Sequence, residues 1–239
     1  MMTSEIHGLF TINHLLFILI SFLFIGLLFF FSRKLNKEQI KKQISIIGII
    51  VIVFEIIKIV FMILDERSIN EYIPLYYCSL LLYFLVLIFF KNEKIKNLGY
   101  KLIMYYGLVP ALFFIIYPIT AINFHPLISF DSLHSLFYHS IMLYLSLIIM
   151  IKGLCEVNFK DVKEYLIATL SLCLIAYIVN AVCDTYFMYI NHAPHDNPAL
   201  LLLESIVGIF YPIVIGLAQT FGSFIISYFI AKFIQKRKV

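Results

Sequence analysis

FTINHLLFILISFLFIGLLFFFSRK, residues 10 to 34, runs from Phe10 to Phe31 without one charged side chain and then meets Arg33 and Lys34. Crossing about 30 Å of hydrocarbon at 1.5 Å per helical residue takes roughly 20 apolar residues, so this stretch can cross a membrane. It is too long for the apolar core of a signal peptide, follows the acidic Glu5 and precedes two basic residues, and is expected to stay as the first span. Comparable runs follow at 44 to 64, 73 to 90, 98 to 118, 132 to 151, 165 to 190 and 203 to 231, seven in all. They are rich in Leu, Ile and Phe and lack the alternation of a barrel strand, so helices must satisfy their backbone polar groups. The sequence predicts an all-α, polytopic membrane protein, a seven-transmembrane-helix bundle forming a single integral membrane domain over residues 1 to 239.

Composition agrees. Of 239 residues, 62% are hydrophobic and only 13% charged, with a mean hydropathy of +0.98, far outside the usual range for a water-soluble domain. Lys and Arg then set the orientation, because basic residues are retained on the cytoplasmic side. Arg33, Lys34, Lys37, Lys41 and Lys42 lie in one connection, Lys91, Lys94, Lys96 and Lys101 in another, Lys152, Lys160 and Lys163 around a third, and Lys232, Lys236, Arg237 and Lys238 in the tail. Only Arg67 falls in the alternate connections. The N-terminus is expected outside and the C-terminus in the cytoplasm, in the cell (inner) membrane if the chain is bacterial. The net charge of +4 then reflects topology and attraction to anionic headgroups, with no ground for nucleic-acid binding. There is no tryptophan, so tyrosine must supply any interfacial belt.

Counting from the outer end of each span places the polar residues at one level. Cys78 lies about five residues inside the third span and His139 about seven inside the fifth, a depth difference of roughly 3 Å. His14 in the first span, Glu55 and Lys58 in the second, and Asn180 and Asp184 in the sixth stand at similar depth, with Glu204 at the start of the seventh. Ionisable groups in hydrocarbon are costly unless they face the bundle interior and find partners, so this collection predicts a polar pocket in the outer half, closed below by an apolar floor.

Each residue also has a plainer reading. A free thiol in a helix is more often packing than chemistry. Cys183, level with Cys78, offers a disulfide where the outer side is oxidising. Glu55 and Lys58, three apart on one helix face, can pair with each other, with Asp184 a candidate third member. His14 can serve as a hydrogen-bonding residue near the interface. Pro110 and Pro212 are expected to kink the fourth and seventh spans.

The chemistry that uses this set is nucleophilic. A cysteine attacks as its thiolate, which a histidine supplies by taking the proton while a third group orients the ring. His139 is the best-placed base, and His134, about 140° round the helix from it, cannot easily share its target. Ser135, four before His139, shares its face, and Asn180 or Asp184 can orient the imidazole. Ser79, Tyr76 and Asn180 are the candidate donors to an oxyanion.

In order, IPLYYCS (73 to 79), HSLFYHSIML (134 to 143), NAVCDTYFMYINHAP (180 to 194) and GIFYP (208 to 212) resemble the transmembrane protein 164 family, including its bacterial YwaF-like members. The family pattern around the cysteine is similar to Pro-Leu-His-x-Cys-Ser, and Cys78 and His139 match its cysteine and later histidine. Tyr76 stands where a histidine is usual, and Asp184 and Tyr186 where Gly and Asn are more frequent. The resemblance implies an acyltransferase that moves a fatty acyl chain between phospholipids through an acyl-cysteine. Phospholipid and lysophospholipid of the bilayer would be the substrates, and no cofactor would be needed.

Two other classes compete. A secondary transporter would use Glu55, Lys58 and Asp184 to couple ion movement, although the apolar inner halves continue no path. A metal site is suggested by His192, His195 and Asp196 in HAPHD, against a solvated loop. A retinal-type sensor lacks its lysine in the last span.

Overall fold

The computed structural model describes residues 8–194 and 198–237. Twelve α-helices order these residues, and the described part contains no strand. α1 (Ile12–Ser32) and α2 (Lys37–Leu64) are unbroken. A capping box starts α2, in which the Asn36 side chain accepts from the Gln39 amide and Gln39 returns the bond. α3 (Ile69–Tyr72) is a single turn leading into α4 (Leu80–Leu87).

The third apolar run differs from the sequence reading. Residues 73 to 90 are not one spanning helix: Ile73 and Tyr76 are extended, a 3-10 turn covers Tyr77–Ser79, and α4 ends at Leu87. Pro74 biases the residue before it away from helix, and the Tyr83 hydroxyl donates to the Pro74 carbonyl at 3.1 Å, holding the strap against α4. The helical part, Tyr77 to Leu87, is about 16 Å long, half the thickness of a bilayer core. Among the described residues, six long apolar helical runs and this shorter one make up the bundle.

The fourth run divides into α5 (Glu93–Tyr106) and α6 (Leu108–Ile116), because Pro110 has no N–H to continue the ladder. Gly107 sits in the break, where a Cβ would come within 3.0 Å of the Met142 carbonyl. After the short α7 (Ile119–Ile122), α8 (Phe130–Lys152) crosses the bundle centre and packs on α1, α2, α5, α6 and α12. α9 (Val162–Cys183) ends sooner than expected. Asp184 turns left-handed at φ 51°, and residues 184 to 190 fold back through a 3-10 turn, Phe187–Tyr189, rather than extending the helix. The last run comprises α10 (Pro198–Val207), a 3-10 turn, α11 (Tyr211–Leu217) opened by Pro212, a π-turn over Ala218–Gly222, and α12 (Ser223–Lys236).

The lysine-bearing connections meet at one end. Lys37 donates to the Gly153 carbonyl, Lys152 to the carbonyls of Arg33 and Leu35, Lys101 pairs with Asp161 at 2.7 Å, and Gln235 donates to the Cys155 carbonyl. The opposite end gathers the other connections. There Leu9 bonds Asn123, Tyr186 bonds Asn70, and Arg67 forks onto Asp131 at 3.1 and 3.2 Å. α5, α6 and α8 carry the most buried surface and are the least apolar of the long runs, since a helix surrounded by protein can present polar groups to partners.

Candidate functional site

Cys78 is a free thiol, partly buried, in the first turn of the half-length helical segment. The amides of Ser79 and Leu80 bond back to the Tyr76 and Tyr77 carbonyls, and those of Tyr77 and Cys78, as at the start of any helix, have no carbonyl acceptor among the described residues. Tyrosines fix this turn. Tyr138 of α8 donates to the Cys78 carbonyl at 3.1 Å, Tyr106 of α5 donates to the Tyr77 carbonyl, and the Tyr77 hydroxyl donates to the Gln219 carbonyl at 2.5 Å inside the π-turn. Leu80, Leu81 and Leu85, further along this helix, are fully buried.

His139 lies on α8 next to Tyr138, 5% exposed. Its Nδ1 is 2.7 Å from the Ser135 carbonyl. A carbonyl only accepts, so Nδ1 carries the proton and Nε2 keeps its lone pair. That Nε2 is buried and has no hydrogen-bond partner among the described residues. The ring stacks on Phe114 of α6 at 3.6 Å between centroids, which fixes its plane. It is therefore the Ser135 backbone that orients this imidazole, where the sequence suggested Asn180 or Asp184. No hydrogen bond joins His139 to the Cys78 sulfur: the two stand on neighbouring elements tied through Tyr138.

Glu55 and Lys58 form an ion pair, as their spacing suggested, and the third member is His134, whose Nε2 lies 3.3 Å from Glu55. His134 is sandwiched between Phe54 and Tyr138, with ring centroids 5.9 Å away on each side. Asp184 does not join this group. It is exposed at the end of α9.

Asn180 is committed elsewhere. It donates to the Phe187 carbonyl and to Asn191, and accepts from the Phe187 amide and the Thr185 hydroxyl, so both amide protons are spent on holding the 185–191 segment and none remains for an oxyanion. His14 is satisfied as well: Nδ1 accepts from the Phe10 amide and Nε2 donates to the Ile116 carbonyl at 2.9 Å, a tie between α1 and α6. Cys78 and Cys183 are not bonded to each other, and Cys183 is exposed. Tyr76 packs edge-on against Phe187 and near Tyr189, both in the folded-back segment. Ser79 is partly buried, and among the described residues its hydroxyl has no hydrogen bond. His192 pairs with Glu204 at 3.0 Å, while His195 and Asp196 lie outside the described residues.

Sequence reasoning missed Tyr138, Tyr106, Tyr77 and Gln219. Their signal was present, since each is a polar aromatic or amide inside an apolar run and needs a buried partner, but no spacing rule pairs residues on separate helices. Met188 and Tyr189 were equally hidden. Both adopt left-handed backbone, at φ 56° and 50°, within the segment packed over Tyr76.

The comparisons extend this picture. A sequence model for the TMEM164 family matches residues 9–230. Neither the curated proteins nor the solved structures searched contain a match. With both candidate residues, the short helix, five of the six long helical runs and most of the sixth inside the matched region, the chain belongs to the TMEM164 family of multi-pass membrane proteins.

Proposed function

We propose that the protein is a membrane-embedded phospholipid acyltransferase working through an acyl-cysteine, with Cys78 as nucleophile and His139 as base. The observation that carries this reading is the tautomer of His139: with Nδ1–H held by the Ser135 carbonyl, the Nε2 lone pair is buried and without a hydrogen-bond partner among the described residues, on the residue after the Tyr138 that bonds the Cys78 carbonyl. A base is most effective when its basic atom is kept free and aimed. Contacts of this kind often tighten only when substrate is bound, and the proposal requires the Cys78 sulfur and Nε2 to come within hydrogen-bond reach in that state.

In the first half-reaction the sulfur attacks the ester carbonyl of a phospholipid and Nε2 takes the thiol proton. The tetrahedral oxyanion is met by the amides of Tyr77 and Cys78, which bond no backbone carbonyl among the described residues, with Ser79 as a side-chain donor. Collapse breaks the ester C–O bond, and the lysolipid oxygen leaves with the proton from Nε2, giving a thioester. A second lysolipid hydroxyl then loses its proton to Nε2 and attacks the thioester, and the departing sulfur recovers the proton. No redox partner is needed. The ester of a lipid in the leaflet at this end would lie just below its headgroup, level with the start of a helix that begins part-way into the bundle.

The test is reconstitution with a labelled diacyl phospholipid and an unlabelled lysolipid, comparing the native chain with Cys78→Ala and His139→Ala. Transfer should fall by at least about a hundredfold in both variants. Equal transfer by all three would end the proposal. The transporter alternative has less support, because Glu55 is already paired with Lys58 and in contact with His134, and Asp184 stands apart from them.

A further inference from the structure

A cleft of about 480 Å³ opens at the lysine-rich end, between the first turns of α2 and the turn joining α4 to α5. Four lysines and two glutamates line it, leaving it net positive. Two of the lysines are neutralised locally: Lys41 pairs with Glu38 at 2.8 Å and Lys96 with Glu93 at 2.6 Å. The other two, Lys42 and Lys91, have neither an ion pair nor a side-chain hydrogen bond among the described residues, and they face the cleft from different elements.

The neighbouring surface is that of a lipid site. Phe89 and Phe90 form part of the lining and are 42% and 47% exposed. Lys42 also heads a stripe along one face of α2, through Ile46, Ile49, Ile50 and Val53, all exposed and leading from the cleft toward the middle of the bundle. A positive head above an apolar track matches an amphiphile with an anionic head. Basic clefts between transmembrane helices are a recurrent way of holding anionic lipid headgroups, and strongly hydrated free anions gain nothing from the apolar track.

We propose that this cleft binds the phosphate of an anionic glycerophospholipid, with Lys42 and Lys91 as the charges that hold it and the acyl chains along the α2 stripe. This site lies at the opposite end of the bundle from Cys78 and does not depend on the chemistry there. It would anchor the short α4 to α2 through a lipid.

The test uses the full chain in detergent micelles, titrated with phosphatidylglycerol or phosphatidylcholine and read by native mass spectrometry. Native protein should retain phosphatidylglycerol preferentially, Lys42→Gln/Lys91→Gln should weaken that binding about 30-fold, and Lys42→Arg/Lys91→Arg should keep it. The control is Lys34→Gln/Lys236→Gln, two exposed lysines at the same end outside the cleft. An equal loss in the control would reduce the effect to general interfacial charge and overturn the proposal. So would equal retention of the zwitterionic lipid, or full displacement of phosphatidylglycerol by an equal concentration of glycerol 3-phosphate, which would mark a soluble-anion site.

Discussion

Replacing Glu55 by leucine would remove the single anion from a buried cluster that holds two potential cations. The side chains of Glu55, Lys58 and His134 are 5%, 15% and 8% exposed, so the carboxylate is the group that makes the Lys58 ammonium tolerable at this depth. Breaking a buried pair by deleting one partner costs about 3–5 kcal/mol, and the slightly greater exposure of Lys58, whose long stem lets its head reach outward, places the expected loss near the lower bound, about 3 kcal/mol. Removing both charges is a different perturbation. In Glu55→Leu/Lys58→Leu no ion is left to desolvate and His134 can stay neutral, so the double variant should return to within about 1 kcal/mol of the native protein. The assay is unfolding of the purified chain by sodium dodecyl sulfate in mixed micelles, followed by far-ultraviolet circular dichroism. A single variant within about 0.5 kcal/mol of native would refute the reasoning, because it would mean the cluster faces water. A double variant as damaged as the single one would refute it as well, since packing rather than charge would then be the cause.

Asn180→Ala should destabilise the 185–191 segment by about 1–3 kcal/mol, because the buried Phe187 amide would lose its acceptor while the Phe187 carbonyl keeps the Ile190 amide. Limited proteolysis between Thr185 and Asn191 reads the effect, and an unchanged digestion pattern would show that Asn180 does not hold that segment. Thiol alkylation should separate the four cysteines. Cys183 is exposed and should react first at neutral pH, whereas Cys155, buried in a connection and with its thiol pushed up by burial to about 12, should stay inert until the chain unfolds. Rapid labelling of Cys155 below about pH 9 would contradict that burial.

The lesson from the sequence differs between the bundle and its site. Long uncharged runs force helices, because in hydrocarbon no other local structure satisfies the backbone, and the lysine count sorted the connections into two ends that the structure also brings together. The Glu55–Lys58 pair was legible for the same local reason, a separation of three residues on one helix. His134 was misread. Its angle from His139 was correctly taken to exclude a shared target, but angle alone does not reveal that the face it occupies meets Glu55 on α2.

Hydropathy averaged over residues 73 to 90 could not show that this run starts late as a helix, since Pro74, the Tyr83 tie and the packing against α5 act at single positions. At Gly99 a Cβ would stand 2.9 Å from Ile88 and 3.1 Å from its backbone nitrogen, so the missing side chain lets α5 approach the end of α4 closely. Asn180 likewise looked catalytic by depth and proved to be a clamp, because only the folded-back segment supplies its four partners.

By itself, then, the sequence determined the class of structure and the count of apolar runs, both properties of the chain against its solvent. Tertiary structure decided which polar groups meet, which nitrogen of His139 is left free and where Cys78 sits on its helix. Those depend on contacts between residues far apart in the chain, and the energy of such a contact is written in neither partner alone.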